Sequence, residues 1–265
     1  MIDIHSHVIP AIDDGCRSIE ESVTLATREQ EGGTRAFIAT PHVNSKLDLD
    51  KSPALIEKVA QLNADYEAAG LSVRVLPGAE LFCSQNILTA LDEQKPISMA
   101  GTGRYLLIDS PHTSLPLDFR SVLFELVLRG LTPILAHPER CGAFQLDPNE
   151  VYELRDRGVA LQLNAKSFEG KYGPRAKELA YQFFDKRIAH FLASDAHRPG
   201  EFPILGSVVD LLRTPDNADY LNLITNRSGE AVSMGQPLPE LPAAVEIPTR
   251  VAQSNWFKRT FLSRK

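Results

Sequence analysis

Met1–Gly15 reads MIDIHSHVIPAIDDG. The run Met1–His5 leans toward β-structure, and two histidines, His5 and His7, stand at its C-terminal end. Asp13 and Asp14 follow just before Gly15. Six further β-leaning runs can be marked: Ala36–Thr40, Val73–Pro77, Tyr105–Ile108, Thr132–His137, Val159–Asn164 and His190–Ser194. Several are almost continuously apolar, as suits strands covered on both faces of a parallel sheet. Helical patterns separate many of them. Ser18 and Glu21 are spaced as a capping box for a helix reaching Glu31. Ser52–Ala69 has a serine cap, Pro53 at the first helical position and Gly70 as a stop. Leu117–Leu128, Asn149–Arg157 and Pro174–Arg187 read the same way. Repeated strand–helix alternation predicts a parallel α/β barrel.

Such barrels keep their active sites at the C-terminal ends of the strands. His42, in ATPH, follows the second run, Glu80 in PGAE the third and Asp109 in LLID the fourth. His137 ends the fifth run, Asn164 the sixth, and Asp195 and His197 in LASDAH follow the seventh. A lone histidine after a strand is an ordinary loop or core residue, and Asp13 is read here as shaping a turn with Gly15. The same residue types recurring after six of seven strands are not explained that way. Barrel closure would gather them into one ring of imidazoles and carboxylates, which suits manganese, iron or zinc. Paired ions in such a ring activate water and stabilise a leaving oxygen. Arg140, three residues beyond His137 in HPER, is placed to fork onto a phosphate, and Arg198 is a second candidate. His112 and His190 do not clearly belong to the set.

Composition narrows the function. The chain has 265 residues, 43% hydrophobic, and a formal net charge of -6, which does not favour nucleic acid. Cys16, Cys83 and Cys141 are scattered and form no CxxC pair, so reduced thiols in a cytoplasmic protein are expected. A cysteine-dependent phosphatase needs arginine six positions after its cysteine, and Ser22, Thr89 and Asp147 stand there instead. The start lacks signal-peptide features, and no run is long and apolar enough to span a membrane. We divide the chain into a barrel, 1–235, and a proline-rich then basic tail, 236–265. The tail's Trp256, Phe257, Lys258, Arg259, Phe261 and Leu262 are read as a disordered terminus, with peripheral membrane contact as the alternative.

In this order, DIHSHVIPAIDDG, ATPH, PGAE, AHPER and ASDAH resemble the polymerase-and-histidinol-phosphatase (PHP) superfamily. More narrowly, they resemble the manganese-dependent protein-tyrosine phosphatases of bacterial capsule and exopolysaccharide operons, the CpsB/CapC/YwqE type. The resemblance covers about residues 1–235. It implies a distorted TIM-like (β/α)7 barrel and three divalent ions, manganese first, with iron, zinc or magnesium as alternatives. By the resemblance His5, His7, Glu80 and Asp195 hold the first ion. Glu80 bridges to a second, shared with Asp109 and His137, and Asp14, His42 and His197 hold the third. Arg140, with His42 and Arg198, is implied in catalysis. The family's fourth strand usually ends in Glu, where this chain has Asp109. The implied substrate is a phosphotyrosine protein, a bacterial tyrosine autokinase, met in the cytoplasm or at the inner membrane face. The implied chemistry is hydrolysis of a phosphomonoester by metal-activated water. The alternatives are a PHP phosphatase of a small phosphomonoester such as histidinol phosphate, and a kinase-binding regulatory module with weak turnover. Oligomeric state is left open.

Overall fold

The computed structural model describes residues 1–95, 97–201 and 203–243. Nine strand segments are laid down in chain order: β1 Ile2–Ser6, β2 Ala36–Ala39, β3 His42–Val43, β4 Arg74–Pro77, β5 Glu80–Leu81, β6 Tyr105–Ile108, β7 Thr132–Ala136, β8 Ala160–Asn164 and β9 Phe191–Ala193. All pair in parallel, in the orders β1-β2-β4 and β3-β5-β6-β7-β8-β9. β2 and β3 are one strand interrupted at Thr40–Pro41, and β4 and β5 one strand interrupted at Gly78–Ala79. Proline carries no N–H for a ladder, which accounts for the first break. The Glu80 N–H still reaches the Pro41 carbonyl across the breaks, at 3.1 Å. Closure comes from β1: Asp195 N–H donates to His5 O (2.9 Å) and His7 N–H to Ala196 O (2.8 Å). The result is a distorted seven-stranded parallel barrel; each predicted run falls on one of its strands, and the extensions β3 and β5 lie beyond the predicted runs.

The barrel wall sorts its side chains by alternation. Ile38, Leu107, Ile134 and Phe191 pack in an inner apolar cluster with Ile2 and Ile4. Leu106, Ile108, Leu135, Leu161 and Leu192 face outward into the helices. β1 holds an irregularity that the sequence does not reveal. Asp3 pairs with Phe37 but Ser6 with Ala39, so three steps on β1 match two on β2. This bulge flips the alternation, so His5 and His7 join Ile2 and Ile4 inside.

The helix Ile19–Glu31 starts as its sequence predicts: Ser18 accepts from the Glu21 N–H. Glu21 itself reaches back to the Arg17 N–H (2.9 Å). Ser52 is not a cap. It lies in helical conformation between two helices, Lys46–Lys51 and Pro53–Ala68, and the capping serine is Ser45, ahead of the first. The closing helices Leu205–Leu212, Ala218–Asn222 and Ser228–Met234 are also additions to the sequence reading. Beyond them Leu238 and Leu241 pack on the core, and the Tyr105 hydroxyl donates to Gln236 O. Residues 236–241 thus run against the barrel at the end opposite the histidines. The tail residues Trp256 to Leu262 lie outside the described residues. Among the described residues no helix is long and apolar enough to cross a membrane.

Candidate metal centre

Every residue of the predicted ring lies at the C-terminal end of the barrel, and the distances divide them into groups. His5 Nε2 and His7 Nε2 are 3.3 Å apart. His5 Nε2 lies 3.3 Å from Glu80 Oε2 and 3.4 Å from Asp195 Oδ1, and His7 Nε2 lies 3.6 and 3.4 Å from the same oxygens. Glu80 Oε1 is 3.1 Å from His137 Nε2, which is 4.0 Å from Asp109 Oδ1. Asp14 Oδ1 lies 3.4 Å from His42 Nε2 and 3.5 Å from His197 Nε2. His7 Nε2 faces this last group too.

These spacings fit a bound cation. Ligand atoms about 2.1 Å from one ion stand roughly 3.0–3.4 Å from each other. Glu80 Oε2 makes the same point. It is buried and receives no aligned hydrogen bond, although His42 Nδ1, His5 Nε2 and His7 Nε2 surround it at 2.9, 3.3 and 3.6 Å. A buried carboxylate oxygen left without an aligned donor suits a cation ligand. The Nδ1 partners set the tautomers. His5 Nδ1 donates to Gln162 Oε1 (3.0 Å), His7 Nδ1 to Asp13 Oδ2 (2.7 Å) and His197 Nδ1 to Asp195 O (2.9 Å). Each Nε2 lone pair is thereby turned to the centre. The gap at Asp109, 4.0 Å, is the widest of these.

The local backbone is bent to serve this end. His137 (φ 36°) and Asp195 (φ 50°) both adopt the left-handed region, where non-glycine residues are strained. The strain swings each side chain inward as its strand ends. Gly15 answers a steric demand: a Cβ there would stand 2.3 Å from His7 O and 2.6 Å from His7 Cβ. Asp13 does more than shape that turn. One oxygen accepts from the Gly15 N–H (2.9 Å) and the other takes His7 Nδ1 and the His42 N–H (3.1 Å).

Arg140 stands at the rim. Its Nη1 donates to Asp195 Oδ2 (2.6 Å), its Nη2 lies 2.8 Å from His112 Nε2, and the guanidinium lies 3.9 Å from the Tyr172 ring centroid. Arg198 turns instead to the backbone of the first loop, donating to Asp14 O (3.1 Å). Asn164 Nδ2 donates to Asp195 Oδ2 (2.7 Å). The buried Lys166 ammonium donates to Asp195 O (2.6 Å) and pairs with Glu201. Gln162 sits two residues before Asn164 on the inner face of β8, a period-two signal that could have marked it. Nothing in the sequence marks Lys166 or Tyr172. His112 belongs to the rim, whereas His190 sits at the start of β9, where its Nδ1 accepts from the Leu161 N–H (3.1 Å). Burial pushes the Cys16 and Cys83 thiols up to about 12 and raises Cys141 as well, so none offers a ready thiolate.

The electrostatics are those of a cation site. Burial opposes ionisation of Glu80 and Asp195, but the surrounding imidazoles hold both well below the usual carboxylate range. Burial likewise opposes charge on His5 and His7. The carboxylates Glu80 and Asp195 around His5, and Asp13 and Asp195 around His7, outweigh it and raise both to about 9. Burial and then Glu80 push Asp109 up to about 7. Burial and then Arg140 push His137 down to about 4. Without a cation, then, protons on His5 and His7 balance the carboxylates, and a metal ion must displace them.

A stability prediction follows, with its sign. His5 and His7 are raised from an ordinary 6.5 to about 9, so their contribution is complete below 6.5 and is lost as pH rises through 9. Below 6.5 other groups oppose one another. Asp109 and Glu139, raised to about 7, favour acid, while His137 and His190, lowered to about 4, disfavour it. The Tm of chelator-stripped protein therefore falls between pH 6.5 and 9, and manganese-loaded protein loses much less over the same range. Equal slopes in the two thermal scans would contradict the assignment.

Fold and site together define a PHP-type barrel built around a carboxylate–imidazole centre. The chain belongs to the CpsB/CapC family of capsular polysaccharide synthesis, which matches residues 1–232. The tyrosine-protein phosphatase YwqE of Bacillus subtilis is 33% identical over 197 residues, 74% of this chain and 77% of that protein. A crystal structure from work on YwqE of Bacillus subtilis and CpsB of Streptococcus pneumoniae, described as unique metal-dependent tyrosine phosphatases, matches with TM-score 0.84 and 28% identity. It covers 93% of this chain and 100% of that one. Histidinol phosphate phosphatase from Lactococcus lactis shares the fold, with TM-score 0.51 and 12% identity over 80% of this chain and 91% of that one.

Proposed function

We propose that this protein is a metal-dependent protein-tyrosine phosphatase. Its substrate is phosphotyrosine in a protein, a tyrosine autokinase of capsule or exopolysaccharide synthesis met at the cytoplasmic face of the membrane. The catalytic unit is 1–235, and 236–265 follows it as a tail whose first residues, to Leu241, pack on the barrel. The observation that carries this reading is the convergence of His5, His7 and Glu80 around one point, with Asp195 3.4 Å from both imidazoles and two further groups beside it. Kinship with named tyrosine phosphatases supports the choice of substrate.

In this proposal His5, His7, Glu80 and Asp195 hold a first ion, Glu80, Asp109 and His137 a second, and Asp14, His42 and His197 a third. The resemblance favours manganese, and the mixed carboxylate–imidazole donor set also suits iron, zinc or magnesium. When bound, such ions supply Lewis acidity and a water acidic enough to attack at neutral pH. Glu80 ties the groups together, since its two oxygens face different histidines. Asp13 and Gln162 orient His7 and His5. Arg140 offers a planar cation to the phosphoryl oxygens as negative charge grows there. Arg198 steadies the Asp14 loop. A phenolate leaves more readily than an aliphatic alkoxide, so a strong general acid is not required of the protein.

The test compares phosphate release from a phosphotyrosine peptide, the matching phosphoserine peptide and histidinol phosphate, all with manganese. The expected kcat/KM favours phosphotyrosine by at least about tenfold, equivalent to about 1.4 kcal/mol of barrier. Preference for histidinol phosphate would overturn the substrate and leave the centre. No turnover despite bound metal would replace the enzyme with a kinase-binding module.

A further inference from the structure

A cleft of about 300 Å³ opens beside His42. Ile12, Pro41, Val43 and Leu55 supply apolar wall, and Lys51, ending the helix Lys46–Lys51, and Lys58, in Pro53–Ala68, line it too. The cleft adjoins the centre at His42, which lines both. Its inner wall is fixed rather than slack. Ala11 is held in the left-handed region (φ 55°), and its N–H donates to Cys16 O (2.8 Å).

The cleft carries two lysines against one carboxylate. Both lysines are exposed, and among the described residues neither has an ion-pair partner. The one carboxylate in the lining, Asp48, is engaged by Ser45 Oγ (2.8 Å) and the Asn44 N–H (3.3 Å) at the start of its helix. A concave apolar surface with few polar groups is the usual form of a ligand seat. The two ammonium groups add a demand for negative charge. The chain's own end, SNWFKRTFLSRK, is basic and so is electrostatically mismatched to this cleft.

We infer that this cleft is a substrate subsite that seats an apolar residue and an adjacent acidic residue flanking the phosphotyrosine. The inference rests on the phosphatase reading above and specifies which phosphopeptides that enzyme selects. His42 marks the junction: phosphate on the centre side, flanking peptide on the Lys51–Lys58 side. Exposed charges contribute modestly and are screened by salt.

The experiment uses the full chain loaded with manganese. Substrates are free phosphotyrosine and phosphotyrosine peptides carrying Glu-Leu, Ala-Ala or Lys-Ser, placed before the phosphotyrosine in one series and after it in another. In one of the two series Glu-Leu peptide is expected to exceed Lys-Ser peptide in kcat/KM by roughly 5- to 20-fold at low salt, and by less at high salt. The double substitution Lys51→Glu/Lys58→Glu should abolish or reverse that preference. Ala54→Trp, at an exposed helix position that lines the cleft, should lower the ratio of peptide to free phosphotyrosine turnover. An unchanged preference in the charge-reversed protein would overturn the subsite. So would loss of binding to phosphatidylglycerol vesicles in that variant with peptide preference intact, since the lysines would then serve a lipid surface. Failure to hydrolyse free phosphotyrosine sinks the phosphatase reading itself; hydrolysis without flank preference sinks only the subsite.

Discussion

Stripping the protein of metal lowers its turnover of a phosphotyrosine peptide by at least about 1,000-fold, and added manganese restores it. The size follows from what the ions are asked to supply. Charge stabilisation by a bound metal is worth several kcal/mol, and each 1.36 kcal/mol is tenfold in rate. The chain has no substitute of its own. Its thiols are buried and raised, with Cys16 and Cys83 at about 12, and they lack the arginine spacing of a thiol phosphatase. Reloading carries a pH signature. His5 and His7, at about 9 without a cation, must release protons as the metal binds. The manganese midpoint therefore moves to higher concentration as pH falls from 8.5 to 6.5, and protons appear on binding. Phosphate release and metal content, measured on the same samples, check both statements. Full activity in demonstrably metal-free protein would end the metal mechanism.

Arg140→Ala lowers kcat/KM by about 100- to 1,000-fold, the usual loss when one preorganised donor to a developing anion is removed. Metal content stays near that of the parent. Of the carboxylates in the centre Arg140 pairs with Asp195, through Oδ2, and Asn164 also donates to that oxygen, at 2.7 Å. Arg140→Lys recovers only part of the loss. Lysine restores charge but neither the face lying 3.9 Å from the Tyr172 centroid nor the fork that also meets His112. Metal content and kinetics together separate the roles. Unchanged kcat/KM would remove Arg140 from the phosphate site. Lost metal would make it a support for Asp195 instead.

The arrangement has one weak point, the second group. Glu80 reaches His137 at 3.1 Å, but Asp109 stands 4.0 Å from the same nitrogen. Its carboxyl, raised to about 7 by burial and then by Glu80, is the least committed charge in the ring. Asp109 thus combines the longest of these contacts with a carboxyl raised by burial.

The order of strands and the polar residues closing them were legible in the sequence for a physical reason. A parallel strand buried on both faces must be apolar throughout, and a strand end that meets a solvated site must not be. His5, His42, Glu80, Asp109, His137 and Asp195 each announce themselves by that change of texture. Tertiary structure alone decided the rest. The bulge in β1 turns His5 and His7 inward, and it exists only in the pairing of β1 with β2. His112 and His190 are the same residue type after and before a strand, and barrel polarity puts one beside Arg140 and the other at the far end. Asp13 and Gln162 became the partners of His7 and His5 because closure brought them within 2.7 and 3.0 Å. Gln162 lies 157 residues from His5 in the chain. Local pattern records which face of a strand is wet. It carries no information on which distant side chain will stand opposite once the seventh strand meets the first.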